Sequence, residues 1–209
     1  MTTGEDGRVR RAQESREARR LQIKQTALSV FADAGYHATS VSDLVAAAGV
    51  ARGTFYLYFD SKDAIFLELL DDLTAQLRAR IVGVDLSAGA APLAEQLERT
   101  VARLLQATID NRPLTRIIFR EAVGLHAPVD ERLRAFDDDL HAYVVRSIAV
   151  AQQMDAVREL DPAVSAACVV GSVRELVNRL VVSSDAAVDV QAVAAALVAH
   201  HLVGLVPRL

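Results

Sequence analysis

Eight residues between Ser40 and Lys62 have the chemistry needed to bond paired nucleotides. Arg52 is the best base reader, because a guanidinium can bond bidentately to guanine O6 and N7. Gly53 removes side-chain bulk where a helix would press against a groove. Thr54 and Tyr58, four residues apart, offer hydroxyls suited to phosphate oxygens, and Tyr56 can do the same or stack on a base. Ser40, Ser42 and Lys62 fall at helix starts, where free backbone N–H groups and the helix dipole favour an anion. Singly, each charge or aromatic among them is better explained as a solvated charge or half-buried packing. Together, in this order, they point to duplex DNA.

The elements that must hold them are short and well punctuated. A first helix is expected over about residues 16–34, with Ile23, Ala27, Val30, Phe31 and Ala34 on one face and Gly35 as its left-handed stop. Ser40 and Asp43 form a capping box that opens a second helix through Ala48. Gly49 allows a tight turn, Val50 plugs the angle between the helices, and a third helix covers about residues 52–58. Phe55 and Phe59 are expected to pack inward with Phe31 and Val41. This makes residues 40–59 a helix-turn-helix, the usual device for entering a major groove.

Asp60 or Ser61 caps a long fourth helix with Ile65, Phe66, Leu69, Leu70 and Leu73 on its buried side. After a Gly/Ala-rich loop at 83–92, a fifth helix carries Leu93, Leu97, Val101, Leu104 and Leu105. A short sixth follows Pro113 through Ile117, Ile118 and Phe119 to Val123. A seventh starts at Pro128 with Leu133, Phe136, Leu140, Val144 and Ile148. Asp161-Pro162 opens an eighth, expected to reach about Val182, and a ninth spans about residues 188–205. No strand pattern or repeat is visible, so the fold class is all-α with about nine helices.

The composition agrees. The 209 residues are 52% apolar, mostly Ala, Val and Leu, without Trp. The lone Cys168 excludes an internal disulfide and a Cys-based zinc cluster. The longest apolar stretch, residues 190–206, is interrupted by Gln191, His200 and His201, so no membrane span is expected. The N-terminal residues lack the apolar core of a signal peptide, and a cytoplasmic location is expected. The net charge of −4 is unevenly spread. Residues 1–62 hold nine Lys/Arg against seven Asp/Glu, and the remainder fourteen against twenty. A mildly basic head on an acidic body suits a protein that meets phosphates at one end.

Residues 21–66 resemble the DNA-binding domain of the TetR family of bacterial transcriptional regulators. The resemblance lies in Phe31-Ala32-Asp33-Ala34-Gly35-Tyr36, Ala38-Thr39-Ser40-Val41, Ala47-Ala48-Gly49-Val50, and Gly53 through Phe59 with Ser61-Lys62. Two positions depart from it. Ala51 stands where Ser is frequent and cannot cap the third helix through its side chain; Leu57 stands where a more polar residue is common. The resemblance implies a helix-turn-helix head over 16–62, joined by a long helix to an effector-binding and dimerisation body over 63–209. It further implies a homodimer that binds a palindromic operator as a repressor and is released by a small molecule. Before the head, residues 1–15 are expected to be a disordered basic arm. Its Arg8, Arg10 and Arg11 would either follow a minor groove or simply remain solvated.

In the body, small residues on helix eight (Ala166, Ala167, Gly171, Ser172) and the stripe Val193, Ala194, Leu197 and Val198 on helix nine suit a four-helix dimer interface. Within that set, Ala167, Gly171, Val193 and Leu197 are the interface candidates. Packing within one chain would explain the stripes too. Candidates for an effector pocket are Phe66, Leu70, Phe119, Phe136, Tyr143, Arg174 and Asn178. Arg174 and Asn178, one turn apart, would need partners if buried, but could instead face solvent or Glu175 of a second subunit. The effector is expected to be an amphipathic organic molecule. No cofactor or resident metal is expected.

Two rivals remain. A helical metal-dependent hydrolase could use Asp137 and His141 with Glu121 or His126, but no second ligand element completes the set, and Asp137-Asp138-Asp139 read as solvated acids. No phosphate loop, nucleophile elbow or Cys–His pair suggests an enzyme of another kind. A nonspecific architectural DNA binder is disfavoured by the acidic body and a pI near 5.7.

Overall fold

The computed structural model describes residues 3–85, 87–122 and 124–205. Among them are nine α-helices and no strand. The chain divides into two compact units, one ending at Asp71 and the other starting at Asp72.

The first unit contains α1 (Thr3–Ala34), α2 (Val41–Ala48), α3 (Arg52–Tyr56) and the first turns of α4 (Lys62–Arg80). Helix α1 starts well before residue 16, so from Thr3 on the expected disordered arm is helical; Met1 and Thr2 lie outside the described residues. Its sequence explains why no apolar stripe announced it. Residues 8–19 are all exposed. They are good helix formers linked at i,i+4, as in Arg10 with Glu14 at 3.6 Å and Gln13 with Glu17 at 3.1 Å. Further on, Ile23, Ala27 and Phe31 turn into the core with Leu44, Ala48, Phe55, Phe59, Ile65 and Phe66. Val30 and Val41 are only half-buried, and Ala34 is exposed.

Aromatic rings organise this core. Tyr36 lies 5.1 Å from Phe31 and 4.9 Å from Phe66, centroid to centroid. That contact draws the start of α4 into the head, which therefore extends past Lys62 to Asp71. The Tyr36 hydroxyl donates to Asp63, and burial together with that carboxylate pushes the phenol far above its ordinary pKa. Ser61 caps α4, its Oγ accepting from the Ala64 N–H at 3.1 Å.

The second unit holds the remainder of α4 and α5 (Leu93–Asp110), α6 (Arg112–Ile117), α7 (Ala127–Gln153), α8 (Pro162–Val177) and α9 (Val190–Leu205). Helices α5 and α9 pack together, as do α7 and α8. Two helices end in single π segments, Ile118–Ala122 after α6 and Asn178–Val182 after α8, where regular helix had been expected to continue. Val123, the expected end of the sixth helix, lies outside the described residues. Asp161 caps α8, accepting from Ala163 N at 2.8 Å and Val164 N at 3.3 Å, with Pro162 in the first turn. Leu105, Val177 and Val181 form a buried cluster on which Phe119, Val190 and Val193 pack.

Three arginines one turn apart close the end of the second π segment. Arg112 donates to Val181 O at 2.9 Å, Arg116 to Ser184 O at 3.1 Å, and Arg120 to Val182 O at 2.9 Å. Carbonyls that a helix C-terminus leaves unpaired are thereby satisfied.

Candidate functional site

The first helix of the helix-turn-helix is fixed at both ends by local groups. Ser40 caps α2: its Oγ accepts from Asp43 N at 3.3 Å, while Asp43 Oδ2 accepts from Ser40 N at 2.8 Å and from Ser40 Oγ at 2.6 Å. These bonds from Ser40 hold the Asp43 carboxyl below its ordinary pKa. Gly49 ends α2 in the left-handed region, φ 62° and ψ 34°, which a residue with a side chain adopts at a cost. Ala51, as its side chain dictates, supplies no cap to α3.

Helix α3 is shorter than expected. Past Tyr56 the chain tightens into i→i+3 bonds, with Leu57 N–H donating to Thr54 O at 3.2 Å and Tyr58 N–H to Phe55 O at 2.9 Å. Phe55 and Phe59 point into the core, 0% and 2% exposed. At 100° per residue Gly53, Leu57 and Thr54 fall opposite Phe55 and Phe59, with Tyr56 and Tyr58 on the flanks. Arg52 falls on the Phe55–Phe59 side but is exposed in the first turn, as are Gly53, Tyr56 and Leu57, while Thr54 and Tyr58 are half-buried. The Arg52 guanidinium lies 5.9 Å from the Tyr56 ring centre. A Cβ added at Gly53 would meet nothing, so the open side of α3 is unobstructed there. Ser42 is exposed in the first turn of α2.

Lys62 is placed differently from its expected role. Its Nζ donates to Thr39 O at 2.8 Å, Tyr36 O at 2.9 Å and His37 O at 3.4 Å, and lies 4.6 Å from the Tyr36 ring centre. An ammonium has three N–H donors, and all three are engaged by the turn between α1 and α2. Lys62 therefore braces that turn. A second brace left no trace in the local sequence pattern. Arg20 of α1 donates to Tyr58 O, pairs with Glu68, and stacks over Phe59 at 4.3 Å. Arg8, Arg10 and Arg11 are exposed on a helix, not on the extended chain that slips into a minor groove.

The second unit contains a cavity of about 420 Å³ among the residues of α5, α7, α8 and α9 and the segment 81–84. Its wall is mostly hydrocarbon, with Leu97, Val101, Val144 and Val170 typical, and Thr100, Tyr143, Arg146, Ser147 and His201 supply its polar groups. Tyr143 Oη donates to Val82 O at 3.2 Å, and Ser147 Oγ to Tyr143 O at 2.9 Å. His201 Nε2 is buried without a hydrogen-bond partner. Burial, then the neighbouring His200, pushes the His201 pKa down, so the ring is neutral near pH ~7.

Of the seven effector candidates only Tyr143 lines this cavity. Phe66 and Leu70 are buried in the first unit. Phe119 packs on the Leu105 cluster beneath Arg174, 5.9 Å away, and Phe136 lies under Arg78 at 5.3 Å. Arg174 is exposed, and Asn178 donates to Glu175 Oε2 at 3.2 Å. Glu175 is itself paired with Arg179 at 2.6 Å, so its partners belong to its own chain.

The dimer candidates divide between two faces. Ala167 and Gly171 are exposed on α8, beside Val164 and Cys168. Val193 packs on the Leu105 cluster, and Leu197 is buried at the cavity. The outward side of α9 instead carries Ala192, Ala196, Ala199 and His200. Asp137 and His141 lie 3.4 Å apart, but no group of three or more metal-binding side chains occurs among the described residues. No helix among them is long and apolar enough to cross a membrane.

Comparison with known proteins fits this geometry. Residues 23–69 match the family described as bacterial regulatory proteins, tetR family, and residues 90–178 match the tetracyclin repressor-like C-terminal domain. Together these cover more than half of the chain. The HTH-type transcriptional regulator YdgC of Bacillus subtilis is 26% identical over 192 residues, 90% of this chain and 93% of that protein. The HTH-type transcriptional regulator EthR of Mycobacterium tuberculosis is 43% identical over 67 residues, 32% of this chain and 31% of that protein. Among solved structures, a TetR-family regulator from Syntrophomonas wolfei superposes with a TM-score of 0.68 at 25% identity, covering 88% of this chain and 93% of that one. AibR, solved with isovaleryl coenzyme A and operator DNA, shares the fold with a TM-score of 0.66 at 18% identity, over 87% of this chain and 97% of its own. With a helix-turn-helix of this form followed by a helical body of this type, the chain belongs to the TetR family of DNA-binding transcriptional regulators.

Proposed function

We propose that the protein is a cytoplasmic homodimeric repressor that binds a palindromic operator and leaves it when a largely apolar organic molecule enters the body cavity. The carrying observation is a division of labour within one chain. Arg52, Gly53 and Tyr56 are exposed on a braced helix in the first unit. A hollow lined by carbon lies in the second. In this reading Arg52 bonds a guanine, Tyr56 stacks or bonds beside it, and Thr54, Tyr58, Ser40 and Ser42 meet phosphates along the edges.

A single head contacts little DNA, so specificity requires two. Their recognition helices would sit about one duplex turn apart, ~34–36 Å, on adjacent half-sites. The outward small residues Ala167 and Gly171 of α8, with Ala192, Ala196 and Ala199 of α9, form the surface through which two copies would join in a four-helix arrangement. The effector is mainly hydrocarbon with few polar groups, because the wall is mostly apolar, Thr100, Tyr143, Ser147 and the neutral His201 offer hydrogen bonds, and the exposed Arg146 a positive charge. AibR, which holds both an acyl thioester and DNA on this fold, supports the plan at the level of architecture.

The test is selection of preferred duplexes from a random pool, followed by a screen of amphipathic organic compounds for release of the winning duplex. A palindromic consensus bound by two chains, and a compound that both raises the thermal stability of the protein and frees the DNA, would support the proposal. Equal affinity for every duplex would overturn the operator. A compound that dissociates the complex equally well after Ser147→Phe fills the cavity would overturn the pocket.

A further inference from the structure

The outward arc of α3 contains one residue that none of these polar roles uses. Leu57 is 70% exposed, more than any other large hydrophobic residue among those described. Its backbone is not loose: it caps α3 in the right-handed helical region, φ −73° and ψ −16°, with its N–H on Thr54 O. The side chain is therefore held out by a fixed frame. Beside it on the same arc lie Gly53, whose Cβ position is empty space, and Tyr56, 44% exposed. Single exposed leucines are ordinary on protein surfaces. This one stands one turn after Gly53, on the side of the helix turned away from Phe55 and Phe59.

A leucine on such a face gains by losing water, and a major groove offers it a specific apolar partner. Guanine, cytosine and adenine present only donors and acceptors there, whereas thymine adds its C5 methyl group. We propose that Leu57 is a specificity residue that packs on the C5 methyl of one thymine in each operator half-site. With Arg52 on guanine, the helix then reads by both polar and apolar contacts. The proposal rests on the reading of α3 as the recognition helix.

Substituting deoxyuridine for thymine deletes that methyl group and nothing else, which makes the test direct. A duplex selected by the wild-type protein is remade with each thymine pair of the palindrome replaced in turn, and each is titrated with wild type and with Leu57→Ala. Because Leu57 is exposed, the variant is expected to melt within experimental error of the wild type. At one thymine position the wild type should lose about fourfold in affinity per half-site, the worth of one buried methyl group. Leu57→Ala should bind the thymine and deoxyuridine duplexes equally.

The idea fails if no deoxyuridine substitution affects the wild type. It also fails if the thymine preference survives unchanged in Leu57→Ala, which would assign the methyl contact to another side chain. A uniform loss by Leu57→Ala on every duplex would move Leu57 to the sugar–phosphate backbone. If the wild type selects no duplex at all, the recognition-helix reading falls first, and this inference with it.

Discussion

The two units of this chain treat their charges and their space in opposite ways. In the head, Arg20 and Lys62 are drawn inward onto carbonyls and rings, and only Arg52 is left projecting from the recognition helix. In the body, Arg112, Arg116 and Arg120 are likewise engaged with carbonyls, but residues of α5, α7, α8 and α9 elsewhere in the unit enclose a hollow. The head is closed-packed around Phe31, Phe55 and Phe66, each fully buried. A surface that reads another molecule must keep its shape before contact, which favours a filled core with braced ends. A chamber that admits a ligand must leave volume unfilled and forgo the packing that volume would have given.

The contrast can be broken most forcefully by truncating one side chain in each unit. Phe55→Ala should lower the stability of the head by about 3–5 kcal/mol, the usual cost of removing a fully buried aromatic. Leu97→Ala, at the cavity wall, should cost less than about 2 kcal/mol, because little new void is created. Urea denaturation of both variants decides it, and equal losses would erase the distinction between packed head and hollow body. Next in size is Lys62→Met. Leaving the carbonyls of residues 36–39 without their donor should cost about 1–3 kcal/mol of stability. The slope of DNA affinity against salt concentration should stay unchanged. A slope reduced by about one would show that Lys62 contacts a phosphate after all.

The smallest effect concerns pH. The fold depresses the His201 pKa, so the unfolded chain takes up the proton first as the solution is acidified. The contribution is complete above the unfolded value of ~6.5 and is lost as the pH falls through the folded one. Thermal melts between about pH 8 and 5 should therefore slope less in His201→Leu than in the wild type. Identical slopes would remove His201 from the account.

The head was far more legible in the sequence than the body, and particular residues show why. The Ser40–Asp43 box, the Gly49 stop and the Asp161-Pro162 start act within a few residues, and their geometry follows the sequence signal closely. The inward turn of Phe55 and Phe59 likewise follows from helical spacing alone. The bracing by Lys62 was not legible because its partners, residues 36–39, are brought to it by tertiary folding, and a lysine in a first turn looks free until they arrive. Arg20 left no signal for the same reason. Most effector candidates lie away from the cavity, since a cavity is a volume left between α5, α7, α8 and α9 and has no local motif. Phe66 and Leu70 looked like pocket lining but complete the head core. On α8 and α9 small residues were visible, but the register separating outward Ala167 and Gly171 from inward Val193 and Leu197 was not.

Whether α3 reads bases through its exposed arc is tested most directly with Arg52→Ala, titrated at fixed salt against the selected operator and its single-base-pair variants. The account predicts a loss of about 1–3 kcal/mol on the best duplex and relaxed preference at one base pair in each half-site, with other positions discriminated as before. Affinity and preferences identical to those of the wild type, or a loss spread evenly over every variant, would contradict it.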